Sequence, residues 1–192
     1  MPLPQHSSKS NEHYTDPKLC VEAVQLAHQY TGTPNPLILD PASTNIANAF
    51  VKASKFYTKA DDGLTKSWAC DALFLNPPGG KIGNVSQQEV WAKKFCSAFD
   101  ADEFVIGIFV CFNQGLAFRN TALWQSATAF AFHKRLHYWS EYMPGDIRKG
   151  SWNDKGKWAS SPPQHSMVFV KHRRPLPATV FPSFPHNRLV LQ

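Results

Sequence analysis

Ala72-Leu73-Phe74-Leu75-Asn76-Pro77-Pro78-Gly79-Gly80 carries two structural instructions in one short stretch. Its four leading apolar residues show no polar alternation, which reads as a strand buried on both faces, as strands of a parallel sheet are. Asn76 ends the run, and the two prolines stop any continuation because each lacks an N–H and fixes its own φ. In an open parallel sheet, ligands bind outside the carboxyl ends of the strands. A polar residue at such an end therefore faces a site.

Working outward, the same pattern recurs. Leu37-Ile38-Leu39 is a short apolar run ending in Asp40-Pro41, and Lys55 to Thr58 is a strand candidate followed by the turn Ala60-Asp61-Asp62-Gly63. Between these two, Ser43 to Ala53 sets Ile46, Ala49, Phe50 and Ala53 on one side of a helix. After the prolines a helix is expected from Ser86 to Phe99, and Glu103 to Val110 is the strongest strand in the chain. Ahead of them all, Asp16-Pro17 is a helix opening, a capping carboxylate followed by proline at the first helical position. Leu19, Val21, Val24, Ala27 and Tyr30 continue at helical spacing until Thr31 to Pro36 stops them. Strands and helices alternating over short connections predict an α/β fold with a parallel sheet.

The last third changes character. Ala129 to His133, Leu136 to Trp139 and Met167 to Lys171 read as strands. The polar stretch from Ser140 to Ser161, with Gly145, Gly150 and Gly156, is too long for a tight turn and reads as a ligand-facing loop or an extended β-arm. The division expected is a flexible arm over residues 1–13, one domain over 14–171, and a proline-rich tail laid over the surface from 172 to 192.

With 43% hydrophobic and 18% charged residues, the 192-residue chain has a globular composition, which excludes a disordered one. No apolar run approaches the roughly 20 residues needed to span a bilayer. The polar stretch from Met1 to Asp16 does not read as a signal peptide, so a soluble protein that stays where it is made is expected. Cys20, Cys70, Cys96 and Cys111 form no CxxC pair and sit in ordinary helix or strand segments. They read as reduced thiols in or near the core, with no metal site expected and a zinc site built from them and some of the eight histidines as the minor alternative. The net charge of +6 suits a polyanionic partner, because each neutralised phosphate releases counterions.

The chemistry sits at the strand ends. Asn76 offers a side-chain oxygen and the neighbouring prolines offer carbonyls with no competing N–H. That pair matches the two N–H donors of an exocyclic amine, whose lone pair is thereby localised for attack on a methyl sulfonium. The step needs no metal and no covalent intermediate, only positioning and well-placed acceptors. Taken alone, Asn-Pro-Pro-Gly is more often an ordinary strand-ending turn, and a lone Asp40 or Asp62 is more often a cap or turn residue. Three such features at three strand ends on one sheet edge favour a ligand site.

At this point the sequence resembles the phage-type Dam DNA N6-adenine methyltransferases. The resemblance rests on Tyr14-Thr15-Asp16-Pro17, Leu39-Asp40-Pro41-Ala42-Ser43 with Asn45 and Asn48, and Lys55-Phe56-Tyr57-Thr58. It continues through Asp61-Asp62-Gly63-Leu64, Trp68, Phe74-Leu75-Asn76-Pro77-Pro78, Trp91 and the late block from Ser161-Pro162-Pro163 to Val170. It covers roughly Glu12 to Lys171 and is most specific from Asp40 to Pro78. It implies a Rossmann-like class I methyltransferase core with helices on both faces, a mostly parallel sheet and an antiparallel C-terminal strand. The implied cofactor is S-adenosylmethionine, the implied partner double-stranded DNA, and the implied location the cytoplasm of a bacterial host. By carry-over, Tyr14, Thr15, Asp40, Pro41, Ala42, Asp62 and Gly63 would hold the cofactor, while Asn76, Pro77 and Pro78 would grip the target amine.

Two departures stand out. Gly79 replaces the aromatic expected after Asn-Pro-Pro, which leaves base stacking to Trp91, Phe112 or Trp124 and frees Gly79, Gly80 and Lys81 to approach a phosphate or form a lid. The glycine-rich cofactor loop common in methyltransferases is also missing. Arg135, in a strand candidate rich in aromatics, reads as an exposed core-strand arginine or as a base or phosphate contact. Arg148, Lys149, Lys155 and Lys157 interleave with Trp152 and Trp158, a pattern that suits phosphate contacts plus stacking and equally a solvated loop. Two other readings fit the same residues: a methyltransferase acting on RNA or on a glutamine side-chain amide, and a DNA-binding relative without turnover.

Overall fold

A computed structural model describes residues 15–112, 114–132, 166–174, 176, 181 and 186–190. The strand candidate at 136–139 and the long polar stretch at 140–161 lie outside them.

Helix α1 (Pro17–Tyr30) begins as its sequence dictates: the Asp16 carboxylate accepts the Lys18 N–H at 2.9 Å and Pro17 occupies the first turn. Strand β1 (Ile38–Asp40), helix α2 (Asn45–Val51) and strand β2 (Lys55–Phe56) follow. Thr44 caps α2 by accepting the Ala47 N–H at 3.1 Å, and Lys52, in the left-handed region, ends it. A 3₁₀ turn (Gly63–Thr65) precedes β3 (Ala72–Leu75). A small hairpin, β4 (Lys81–Ile82) with β5 (Val85–Ser86), then leads into α3 (Gln87–Asp100). Beyond it come β6 (Ile106–Cys111), α4 (Gln114–Arg119), α5 (Thr121–Trp124), β7 (Ala127–Phe132), β8 (Met167–His172) and β9 (His186–Val190).

The described strands make a seven-stranded sheet in the order β2-β1-β3-β6-β8-β7-β9. The first four run parallel, with Leu39 opposite Lys55, Leu73 opposite Leu39, and Leu75 opposite Phe109. β8 is inserted antiparallel between β6 and β7, and β9 adds an antiparallel edge to β7. The chain moves from β1 outward to β2, then returns to place β3 on the other side of β1. That reversal makes the crevice between β1 and β3 a topological switch point, where ligands of open α/β sheets bind.

Strict alternation along the strands divides the core. Ile38, Ala72, Phe74, Ile106, Ile108, Val110, Val168 and Val170 pack on the face covered by α1 and α2. Leu39, Leu73, Leu75, Phe109, Cys111, Met167 and Phe169 pack on the face covered by α3, α4 and α5. With helices on both faces of a mostly parallel sheet, the fold is Rossmann-like α/β, as the strand–helix alternation predicts.

Some boundaries differ from expectation. β6 starts at Ile106 rather than Glu103, because Glu103 is used elsewhere: its carboxylate accepts the Trp68 N–H at 2.7 Å and its carbonyl accepts the Cys70 N–H at 2.9 Å. The hairpin, the short helices α4 and α5, and the edge strand β9 are additions to the predicted pattern. Among the described residues no helix is long and apolar enough to cross a membrane.

Candidate functional site

Four parallel strands deliver their carboxyl ends to one edge, and the residues that follow them line a single cleft of about 300 Å³. Asp40 to Ser43 come from the end of β1, Thr58, Lys59 and Asp62 to Leu64 from beyond β2, Asn76 to Gly79 from the end of β3, and Phe112 from the end of β6. The volume lies at the lower end of the range of about 300–1,000 Å³ usual for small-molecule sites.

The β1 loop is pinned by backbone bonds. The Tyr57 N–H donates to the Asp40 carbonyl at 3.0 Å and the Ser43 N–H to the Tyr57 carbonyl at 2.9 Å, so β1 and β2 remain tied beyond their last paired residues. Asp40 is only 2% exposed. Its carboxylate accepts the Ala42 N–H at 3.2 Å and also bonds to Ser43. Burial pushes its pKa up to about 7, even though both of those bonds favour the charged form.

The two consecutive acids after β2 divide their work. Asp61 builds the turn, accepting from the Thr58 N–H at 2.8 Å and from its hydroxyl at 2.7 Å, bonds that hold its pKa below the usual carboxylate value. Asp62 adopts φ +52° and lines the cleft. Gly63 follows because nothing larger fits: a Cβ there would lie 2.0 Å from the Pro41 carbonyl oxygen. Trp68 and Lys94 lock that contact from beneath. The Trp68 ring N–H donates to the Gly63 carbonyl at 2.8 Å, and the Lys94 ammonium donates to the carbonyls of Gly63, Leu64 and Lys66. Trp68 in turn stacks on Trp91, with ring centroids 5.9 Å apart and planes 17° off parallel.

At the end of β3, Asn76, Pro77, Pro78 and Gly79 all line the cleft. Gly80 takes φ +87° and its carbonyl accepts the Gln87 N–H at 3.0 Å, so Gly79-Gly80-Lys81 leads into a tethered hairpin. Lys81 is exposed on β4, while Ile82 reaches the cleft.

Of the residues singled out in the sequence, Thr15, Asp40, Pro41, Ala42, Asp62, Gly63, Asn76, Pro77, Pro78 and Gly79 meet in this one cleft. Tyr14, Arg135, Arg148, Lys149, Trp152, Lys155 and Lys157 lie outside the described residues. Trp124 is turned to other work: it meets Phe169 edge-on and its ring N–H donates to the Ala117 carbonyl at 2.7 Å. Arg173, the first residue after β8, lies over the Phe99 ring and bonds to the Phe99 carbonyl and to Asp102. Lys94 and Gln87, which shape or line the site, carried no signal in the sequence: each is one polar residue among several on an amphipathic helix. The thiols of Cys20, Cys70 and Cys96 are all pushed up by burial, and among the described residues no group of His, Cys, Asp and Glu is arranged to hold a metal.

No protein-family model matches the chain, and no curated protein or solved structure matches it either.

Proposed function

We propose that the chain is an S-adenosylmethionine-dependent methyltransferase that modifies the exocyclic N6 amine of adenine in DNA. The observation that carries this reading is the convergence of Asp40, the Asp62-Gly63 turn and Asn76-Pro77-Pro78 in one cleft at the β1/β3 switch point. Residues spaced across 38 positions of sequence meet there, each at the carboxyl end of its own strand or just beyond it.

The donor and acceptor set fits the cofactor. A buried carboxylate whose described partners, the Ala42 N–H and Ser43, are uncharged suits a ligand bearing positive charge. Asp62 is the acceptor available to nucleoside N–H or O–H groups. Thr15, Pro41, Ala42 and Gly63 would complete the holding surface, with Tyr14 just ahead of Thr15. When bound, S-adenosylmethionine supplies an electrophilic methyl group on a sulfonium.

The chain's own task is to present the nucleophile. Asn76 accepts one amine hydrogen through its side-chain oxygen and the Pro77 carbonyl accepts the other. The amine is then drawn out of conjugation with the ring, and its lone pair is left free for the methyl carbon. The two prolines keep the carbonyls from being consumed by local N–H groups and hold the turn rigid, which is the positional contribution to rate. Target adenine must leave the duplex to reach Asn76, at a cost of a few kcal/mol of unstacking.

The test is transfer of labelled methyl from S-adenosylmethionine to unmodified duplex DNA, followed by digestion to nucleosides. Label is expected in N6-methyladenine, and Asn76→Ala should lower its rate by about 100-fold or more, the scale for removing a transition-state hydrogen-bond partner. Cofactor binding without label in DNA would redirect the assay to RNA and glutamine amides. Failure to bind cofactor at all, read as no thermal shift at saturation, would overturn the reading.

A further inference from the structure

Lys94 stands in the middle of α3, yet all three of its printed bonds go to a turn far away in sequence. Its ammonium donates to the carbonyls of Gly63 at 3.3 Å, Leu64 at 2.6 Å and Lys66 at 2.5 Å. A lysine has three N–H donors and no acceptor, so one side chain satisfies three carbonyls that converge on it. Without a cation at that point, the negative ends of those three carbonyl dipoles would repel one another. Trp68 works beside it. Its ring N–H donates to the Gly63 carbonyl at 2.8 Å, and its own backbone N–H is held by the Glu103 carboxylate at 2.7 Å. The Lys94 ammonium lies 4.8 Å from the centre of the Trp68 ring, a cation–π contact that ties the two supports together.

The turn fastened in this way begins at Asp62. At φ +52° Asp62 is in the left-handed region, which a residue other than glycine keeps only where its surroundings impose it. Its carbonyl accepts the Thr65 N–H at 2.9 Å and the Thr65 hydroxyl at 2.8 Å, so its backbone is set by the same turn. Asp62 and Gly63 line the cleft, and Lys94 does not. The side chain that fixes the turn from below thus leaves the upper surface to a ligand.

We propose that Lys94 is a positioning residue for the cofactor: its ammonium, with the Trp68 ring N–H, shapes the turn that presents Asp62 to the cofactor's nucleoside. The inference rests on the methyltransferase reading above. It makes cofactor affinity depend on α3, an element that carries no acid or loop of the cofactor site.

The experiment compares wild type, Lys94→Met, Lys94→Arg, Trp68→Phe and Lys93→Met in the full chain. S-adenosylmethionine affinity is measured well below each thermal midpoint, together with kcat, KM for DNA, and amide exchange of the free protein. Lys94→Met keeps the apolar stem and should raise the cofactor Kd by about tenfold or more, the scale for losing bonds to a charged donor. Its kcat at saturating cofactor and its KM for DNA should stay within about twofold, since only binding is weakened. In the free protein, the Thr65 and Lys66 amides should exchange faster. Lys94→Arg keeps a cation and several donors and should recover part of the affinity. Trp68→Phe keeps a ring but loses the N–H, and should raise Kd about threefold, which tests the same turn if Lys94→Met folds poorly. Lys93→Met removes an equal charge from an exposed neighbour on α3 and should leave Kd unchanged. Because the cofactor carries a sulfonium, loss of a nearby positive charge would by itself strengthen binding, so weaker binding reports the turn. A folded Lys94→Met or Trp68→Phe variant with wild-type Kd, or a Lys93→Met variant as weak as Lys94→Met, would overturn the role of Lys94. If wild type itself binds no S-adenosylmethionine, the functional reading fails first and the inference falls with it.

Discussion

At Asp40 the free energy of burying a charge opposes what the proposed cationic cofactor would require. The carboxyl is sealed at 2% exposure, and burial lifts its pKa from 3.8 to about 7. Between those values the native protein holds a proton that the unfolded chain has released. Stability therefore falls as pH rises from about 4 to about 7 and is level above that. Asp40→Asn keeps an oxygen for the Ala42 N–H and cannot ionise. It should abolish that slope and unfold at higher urea concentration than wild type at pH 8, with the difference vanishing near pH 4. A bound sulfonium favours the ionised carboxyl, so affinity for S-adenosylmethionine should drop by up to about tenfold per pH unit below about 7. The Asn variant should bind weakly at every pH. A wild-type affinity that ignores pH between 5 and 8 would remove Asp40 from the cofactor's surroundings. Part of this was legible beforehand: an acid ending an apolar run marks a strand end at a sheet edge. Its sealing was not legible, because its surroundings include residues distant in sequence, such as Cys20 on α1 and Tyr57 beyond β2.

The elements themselves were readable where they are long or strongly apolar. Ala72–Leu75 needed no correction, α3 moved by one residue, and α1 starts where Asp16-Pro17 said it would. The hairpin escaped because each of its strands is two residues long, too short for any period to show. β9 escaped because the prolines before it read as a tail. β6 holds a further constraint that only packing exposes. A Cβ on Gly107 would lie 2.4 Å from Cε2 of Phe104, and 2.7 Å and 2.9 Å from Cε2 and Cζ of Phe95. Phe95 and Phe104 are buried and in ring contact at 5.5 Å, so neither has room to retreat. Gly107 is thus the gap that lets α3 lie close on the central strand. Gly107→Ala should destabilise the fold by about 1–3 kcal/mol through overpacking, measured by urea denaturation. Pairing it with Phe95→Leu should recover part of the loss, since the clash and the new space are in contact. Additive losses in the double variant would mean that α3 does not rest on Gly107 in this way.

At the scale of the molecule, the order of strands is what turns scattered residues into a site. Local pattern shows that Asp40, Asp62 and Asn76 each follow a strand, but not that β3 returns to the inner side of β1. That choice depends on pairings across 34 positions or more, such as Ile38 with Ala72, and no local period encodes it. Charge is the other molecular-scale property, and it bears directly on the DNA reading. A net charge of +6 from 20 basic and 14 acidic residues gives a field that attracts any polyanion. Specific use of that charge shows in salt dependence rather than in affinity alone, because each phosphate neutralised adds about 0.9 to the slope of log K against log salt. Arg148, Lys149, Lys155 and Lys157 form the densest cationic stretch beside tryptophans in the sequence. If that stretch clamps the backbone, replacing all four with alanine should flatten the slope by about 3–4 while leaving cofactor affinity unchanged. Trp152→Ala should weaken binding by a factor that stays constant across salt, since stacking releases no counterions. A quadruple variant with the wild-type slope would assign the phosphate contacts to other cations, with Lys59 at the cleft and Lys81 on the hairpin the next to be tested. Loss of slope without loss of methylation at low salt would instead separate the clamp from the chemistry, as expected if the clamp holds the duplex while Asn76 holds the base.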